Sequence, residues 1–250
     1  MKLLRAYERP ESLADVPFRY CPGCGHGIVT RLVAEVVDEL GIRERTVGVA
    51  PVGCAVFVEE YFNFDMVGAA HGRVCPVATG LKRALPDHVI LGYQGDGGLA
   101  AIGLAEVVHA ANRGERVTMI YVNNAVYGMT RGQMAPTTLL GQRTTTTPSG
   151  REPRRDGFPL KVCELLAGLE GVAYIARGTV TSPKNVRTLK RYIERAIRTQ
   201  MEDEGFSLVE VLSPCPSNWH MKPLEAIAWV EERMIPFYGL GEVKACTQKS

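Results

Sequence analysis

Gly95-Asp96-Gly97 and, after 25 intervening residues, Asn123-Asn124 are the positions in this 250-residue chain best suited to chemistry. A carboxylate and an amide oxygen are hard ligands of the kind Mg²⁺ takes, its shell usually completed by water and phosphate oxygens. Glycines beside them let backbone N–H groups approach phosphates, and a following helix turns its positive end toward the charge. Either tripeptide alone reads as a tight turn with a capping Asp or a turn Asn; the two together read as a device for holding a diphosphate. The cysteines form a second group. Cys21 and Cys24 make a CxxC pair ahead of a helix, and Cys54 and Cys215 sit in Gly- or Pro-rich loops, VGCAV and SPCPS. Four thiolates hold a zinc ion or a [4Fe-4S] cluster, and spacing does not choose between them. His26, following the CxxC, reads as a cap or surface residue or as a neighbour of that centre. His71, taken alone, reads as a core histidine. Cys75 and Cys163 read as small buried apolar groups, and Cys246 lies in the tail.

These residues must be held by elements that the apolar pattern announces. Ile28–Leu40 has helical spacing and stops at Gly41. Thr46–Val52, Val89–Tyr93, Val117–Val122 and Ser207–Leu212 read as strands, and Val77–Leu85, Leu99–Asn112, Val162–Leu169, Pro183–Gln200 and Leu224–Met234 as helices. Strands that are apolar throughout and separated by helices imply parallel pairing covered on both faces, an α/β doubly wound, mostly parallel sheet. Ligands bind such sheets beyond the carboxyl ends of the strands, where both polar clusters fall, so the two should meet in space. Leu139–Asp156, with its Thr run, prolines and basic residues, reads as a long loop of the functional or mobile kind. No repeat or linker divides the chain, so residues 1–250 read as a single domain with thiol-bearing loops and a C-terminal helical tail.

Composition narrows the classes. The 29 basic and 27 acidic side chains leave a net charge of +2, too balanced for a dedicated nucleic-acid binder. No apolar run is long enough to span a membrane and the start has no signal-peptide pattern, so the expected location is the cytoplasm. Seven cysteines in such a chain read as metal ligands or buried hydrophobes before disulfides.

The GDG…NN pair resembles the thiamine diphosphate signature. CPGCGHG from Cys21, AHGR from Ala70, YQGDGGLAAIG from Tyr93, NNAVYGMTRGQMAPTT from Asn123 and SPCPSNW from Ser213 extend the likeness to the beta subunit of the 2-oxoacid:ferredoxin oxidoreductases. It is most similar to the branch acting on branched-chain 2-oxoacids or 2-oxoglutarate, and the likeness runs from about Tyr20 to Leu240. The resemblance implies a pyrophosphate-binding (PP-type) thiamine fold and three cofactors: thiamine diphosphate, Mg²⁺ and a [4Fe-4S] cluster. It places Mg²⁺ on the side chains of Asp96 and Asn124 and the backbone carbonyl of Val126. Gly53, Cys54, His71, Gly95, Gly97, Gly98, Gly128 and Met129 would line the cofactor, and Cys21, Cys24, Cys54 and Cys215 would hold the cluster.

The implied reaction is oxidative decarboxylation of a 2-oxoacid, with electrons leaving through the cluster to ferredoxin and the acyl group passing to coenzyme A. The activating glutamate of thiamine enzymes lies on a second domain for which this chain has no room. By resemblance it belongs to an alpha-type (pyrimidine-domain) subunit, with gamma- and delta-type subunits as further partners, and this chain alone should be inactive. Two positions depart from the pattern: Gly98, where many members carry Asp, and Arg131, where they carry Gly. Arg131 is a candidate for contacting a substrate carboxylate or coenzyme A. The alternatives are a cluster-free thiamine-dependent decarboxylase or acetolactate-synthase-like subunit, and a zinc-stapled regulatory or nucleic-acid-binding protein with a degenerate nucleotide pocket.

Overall fold

The computed structural model describes residues 8–245; Cys246 and the first seven residues lie outside it. In chain order the first half runs α1 (His26–Glu39), β1 (Thr46–Ala50), α2 (Val58–Tyr61), β2 (Asp65–Gly68), α3 (Val74–Ala84), β3 (Val89–Gly95), α4 (Leu104–Asn112), β4 (Thr118–Asn123), β5 (Val126–Tyr127) and β6 (Gln133–Met134). The second half runs α5 (Pro153–Asp156), α6 (Val162–Ala167), β7 (Val172–Thr179), α7 (Pro183–Met201), β8 (Phe206–Leu212), α8 (Pro216–Trp219), α9 (Pro223–Trp229), α10 (Ile235–Tyr238) and β9 (Gly241–Lys244).

Seven strands form one sheet in the order β2-β1-β3-β4-β8-β7-β9, parallel except for β9. One face packs on α1 and α7 through Val33, Val36, Leu189 and Ile193, the other on α3, α4 and α6 through Ala78, Val107 and Leu166. Coverage on both faces explains why β1, β3, β4 and β8 are nearly continuous apolar runs. The doubly wound α/β architecture expected from the pattern is the one observed. β3 and β4 are direct neighbours, Gly95 pairing with Val122, and Asn123 pairs onward with Leu212 of β8. Asp96 and Asn124 therefore leave the sheet side by side.

Several expected elements differ. The run Leu99–Asn112 is not one helix: a π-helical turn covers Gly97–Ile102, and α4 begins only at Leu104. α3 starts three residues before the expected Val77, since Pro76 is tolerated in a first turn whose N–H groups lack helical partners anyway. The tail is α9, a π-helical turn at Val230–Met234 and α10 in succession, reaching Tyr238. Strand β7 was not apparent because Arg177 interrupts its apolar run; that guanidinium is buried in an ion pair. The short edge strands β2 and β9 carry little pattern. The 139–156 loop is pinned by Arg151, which is 6% exposed and donates to the carbonyls of Pro136, Thr138, Gly157 and Phe158.

Candidate functional site

Beyond the carboxyl ends of β1, β3 and β4 lies a cavity of about 140 Å³. Gly53, Cys54, His71, Gly95, Asp96, Gly97, Gly98, Asn124, Gly128 and Met129 all line it, as do His26, Val52, Tyr127 and Thr130. Val126 does not; it is buried at the start of the β5–β6 hairpin, directly behind the Asn124 turn.

Asp96 caps the π-helical turn. One carboxylate oxygen accepts from the Gly97 N–H at 2.9 Å, the other from the Thr137 hydroxyl at 3.0 Å. It is 3% exposed, and among the described residues no Lys, Arg or His pairs with it. Burial without a counter-charge pushes its carboxyl up to about 7. A buried carboxylate with no counter-charge beside it suits a cation, and the adjoining Asn124 amide offers a second oxygen of the kind such an ion takes. The Asn124 Oδ1 accepts from the Val126 N–H at 3.4 Å across Ala125, whose φ of 58° is the left-handed turn such an amide supports.

Behind the turn, Asn123 is fixed by a buried network. Its Nδ2 donates to Glu210 at 2.7 Å, and its Oδ1 accepts from Ala125 N–H at 3.1 Å. Glu210 pairs with Arg177 at 2.6 Å, both side chains 1% exposed, and Arg177 reaches Glu164 and the Tyr238 carbonyl as well. Tyr238 in turn donates its hydroxyl to the Thr137 carbonyl at 2.5 Å. The C-terminal helices thus brace both the Asn123-Asn124 turn and the threonine on Asp96. Thr137, Glu210, Arg177 and Tyr238 were not singled out from the sequence; only Thr137, inside the NNAVYGMTRGQMAPTT run, carried a local signal.

His71 lines the cavity; its Nδ1 is buried and has no partner among the described residues, and burial lowers the ring's pKa. His26 is neither cap nor surface residue: it is 2% exposed, stacks on Tyr20 at 5.1 Å and meets the Tyr93 hydroxyl at 2.9 Å, and burial lowers its pKa to about 4. A Cβ on Gly98 would stand 3.4 Å from Gln94 Oε1 and 3.7 Å from the His71 ring, so this departure from the expected aspartate faces the cavity.

The thiols of Cys21, Cys24, Cys54 and Cys215 lie close enough to influence one another. Two close approaches assemble them. Gly23, at φ 79°, brings the CxxC turn onto Pro223 and Pro216, where a Cβ would come within 2.6 Å of Pro223. A Cβ on Gly128 would stand 3.3 Å from Cys54 Sγ and 3.5 Å from Asn124 Nδ2, so this glycine marks where the Cys54 thiol and the Asn124 amide meet. Asn218 adds a link, donating to Cys215 Sγ at 3.2 Å and to the Gly128 carbonyl at 2.8 Å. Burial pushes the Cys24 thiol up to about 12 and that of Cys54 to about 11. Among the described residues no three His, Cys, Asp or Glu side chains converge tightly enough to chelate one ion. Cys75, beneath Gln94, and Cys163, donating to Glu210, are buried apart from this group. Arg131 is exposed at the hairpin tip beside Thr130, with φ 78°, and pairs with no acid among the described residues.

Residues 51–211 match the family model of the C-terminal TPP binding domain of thiamine pyrophosphate enzymes. The ketoisovalerate oxidoreductase subunit VorA of Methanothermobacter marburgensis is 50% identical over 232 residues, covering 93% of this chain and 48% of that protein. The chain therefore spans about half the length of that relative. The 2-oxoglutarate synthase subunit KorB of Archaeoglobus fulgidus is 37% identical over 226 residues, 90% of this chain and 79% of the relative. The solved 2-oxoglutarate:ferredoxin oxidoreductase from Magnetococcus marinus shares the fold, with a TM-score of 0.77 at 24% identity over 99% of this chain and 88% of that one.

Proposed function

The chain belongs to the thiamine pyrophosphate enzymes, in the form carried by 2-oxoacid oxidoreductase subunits, and on that premise we propose that it is the cofactor-holding subunit of a 2-oxoacid:ferredoxin oxidoreductase. Its substrate would be 2-oxoisovalerate or 2-oxoglutarate, its acyl acceptor coenzyme A and its electron acceptor ferredoxin. One observation carries this reading: a buried, uncompensated Asp96 carboxylate and the Asn124 amide stand at adjacent strand ends, with Cys54 beside them across Gly128.

Thiamine diphosphate, when bound, supplies the carbanion chemistry that decarboxylates a 2-oxoacid, and an iron-sulfur cluster accepts the electrons one at a time. The residues fit the first group. Asp96, Asn124 and the Val126 carbonyl would hold Mg²⁺, while the backbone at Gly53, Gly97 and Gly98 offers close approach to a diphosphate and His71 an unpaired ring nitrogen. Residues 21, 24, 54 and 215 would hold the [4Fe-4S] cluster. What supports this reading over zinc is the position of Cys54 beside Asn124 across Gly128, where an electron acceptor would adjoin the proposed cofactor. The exposed Val52, Met129 and Ile102 near the mouth, 45–50% exposed, supply an apolar surface for an alpha-type subunit with the activating glutamate. No helix among the described residues is long and apolar enough to cross a membrane.

Arg131 would meet an anion at the same mouth. Arg131→Gly is expected to raise the KM for the oxoacid or for coenzyme A, and two unchanged constants would remove it from the site. The whole reading is tested by anaerobic co-expression with an alpha-type chain and a panel of 2-oxoacids with a viologen dye. A brown complex that reduces the dye only with coenzyme A and thiamine diphosphate present, from a subunit inactive alone, is the expected result. A colourless zinc-bearing complex, or turnover by the isolated chain, would contradict it.

A further inference from the structure

A second hollow, of about 290 Å³, opens between α8, α9 and the start of the 139–156 loop, and the roles assigned above leave it unused. Trp219, Trp229, Met221, Leu139 and Leu140 wall it, and Arg143 and Arg233 stand at its rim. The two indoles are the chain's only tryptophans, with ring centroids 4.4 Å apart and planes at 52°. The Trp219 indole N–H is buried and donates to no acceptor among the described residues. Both arginines are exposed, and neither forms an ion pair or hydrogen bond with a described residue. The hollow adjoins the proposed cofactor site through the chain itself. Trp219 follows Asn218, which holds Cys215, and Leu139 comes two residues, at most about 7 Å of backbone, after Thr137 on Asp96.

Indole faces take flat rings, and neighbouring guanidinium groups take phosphates. Apolar walls with a few convergent polar groups, in a volume near the lower end of the roughly 300–1,000 Å³ of ligand sites, suit a group the size of a nucleotide. We propose that this hollow is a nucleotide subsite, holding a base against Trp219 and Trp229 and its phosphates on Arg143 and Arg233. Two sources share that chemistry: the nucleotide end of coenzyme A, which rests on the function proposed above, and a free nucleoside diphosphate.

Because both tryptophans line the hollow, intrinsic fluorescence of the full chain reports its occupancy. Titration with coenzyme A and with 3′,5′-ADP should give a saturable change; adenosine should bind at least about tenfold more weakly, having no phosphate for the arginines. Saturation by coenzyme A but not by 5′-ADP identifies the acyl acceptor as the source, and equal saturation by both identifies a free nucleotide. R143Q/R233Q should weaken the nucleotides at least about tenfold with an unchanged melting midpoint. No saturable change with any nucleotide, a double variant that binds like the wild type, or an equal response to an acidic peptide would overturn the proposal. In the assembled complex, the coenzyme A source predicts a raised KM for coenzyme A in the double variant with the oxoacid KM unchanged. A wild-type complex that turns over no oxoacid would instead break the functional reading and leave the fluorescence result standing.

Discussion

The oxygen-ligand rim and the thiol quartet touch at Gly128 yet are built by opposite means. Asp96 and Asn124 are 3% and 6% exposed, hang from adjacent strands, and are braced from behind by Thr137, Glu210, Arg177 and Tyr238. The thiols ride on three separate loops, with Cys21 exposed, Cys24 and Cys54 half-buried and Cys215 buried. Ladders and buried ion pairs preorganise a site for a hard cation, which tolerates little misplacement of its few oxygen ligands. A thiolate site can instead be drawn together by its guest, because the deprotonation and ordering it requires are supplied on binding. The burial that pushes Cys24 and Cys54 up means that assembly of the proposed centre would release protons and be favoured by rising pH.

The largest expected effect separates the two regions outright. Cys215→Ser should abolish the cluster, seen as loss of iron and of dye reduction, while Mg²⁺-dependent binding of thiamine diphosphate persists. Loss of both together would merge the regions into one cooperative site. Next comes the brace: Glu210→Gln removes the fully buried one of Arg177's two carboxylate partners, leaving Glu164, and should cost about 1.5–3 kcal/mol in denaturant unfolding. The exposed pair Arg19–Glu60 is the control, and Glu60→Gln should cost under about 1 kcal/mol. A cost for Glu210→Gln no larger than that would mean the rim is not braced.

A smaller effect concerns pH. Asp96 titrates near 7 in the folded chain against about 4 unfolded, so the folded state holds the extra proton between those values. Stability from this group is full below about 4 and is lost as pH rises through 7, so the metal-free chain should melt lower at pH 8 than at pH 5. Asp96→Asn should flatten that slope, as followed by melting in chelator. A slope unchanged in the variant would place the titration elsewhere.

How much of this was legible follows the same division. The rim could be read because its ligands sit at the ends of two apolar runs, where a doubly wound sheet puts them. The brace could not, since it depends on β7, whose apolar run Arg177 interrupts and whose buried charge is met only in the fold, by Glu210 and Glu164. The thiol quartet emerged from loop context and family likeness, whereas its connection through Asn218 and Gly23 required tertiary packing. Of the two readings left open for His26, the cap or surface one fell because nothing local announces that Tyr20 and Tyr93 enclose it. The continuous helix expected after Gly98 failed for a similar reason: Gly103 lies against the Gly72 and Gly98 carbonyls, where a Cβ would come within 2.6 Å.

The central claim is that Asp96 and its neighbour Asn124 clamp a diphosphate through a divalent ion. Calorimetric titration of thiamine diphosphate into the partner-assembled chain across a Mg²⁺ series, wild type beside Asp96→Asn, tests it most directly. Affinity should rise with Mg²⁺ in the wild type and fall more than about 100-fold in the variant, beyond the 10–100-fold typical of losing an outer partner. Equal affinities in the two proteins, or binding indifferent to Mg²⁺, would contradict the account.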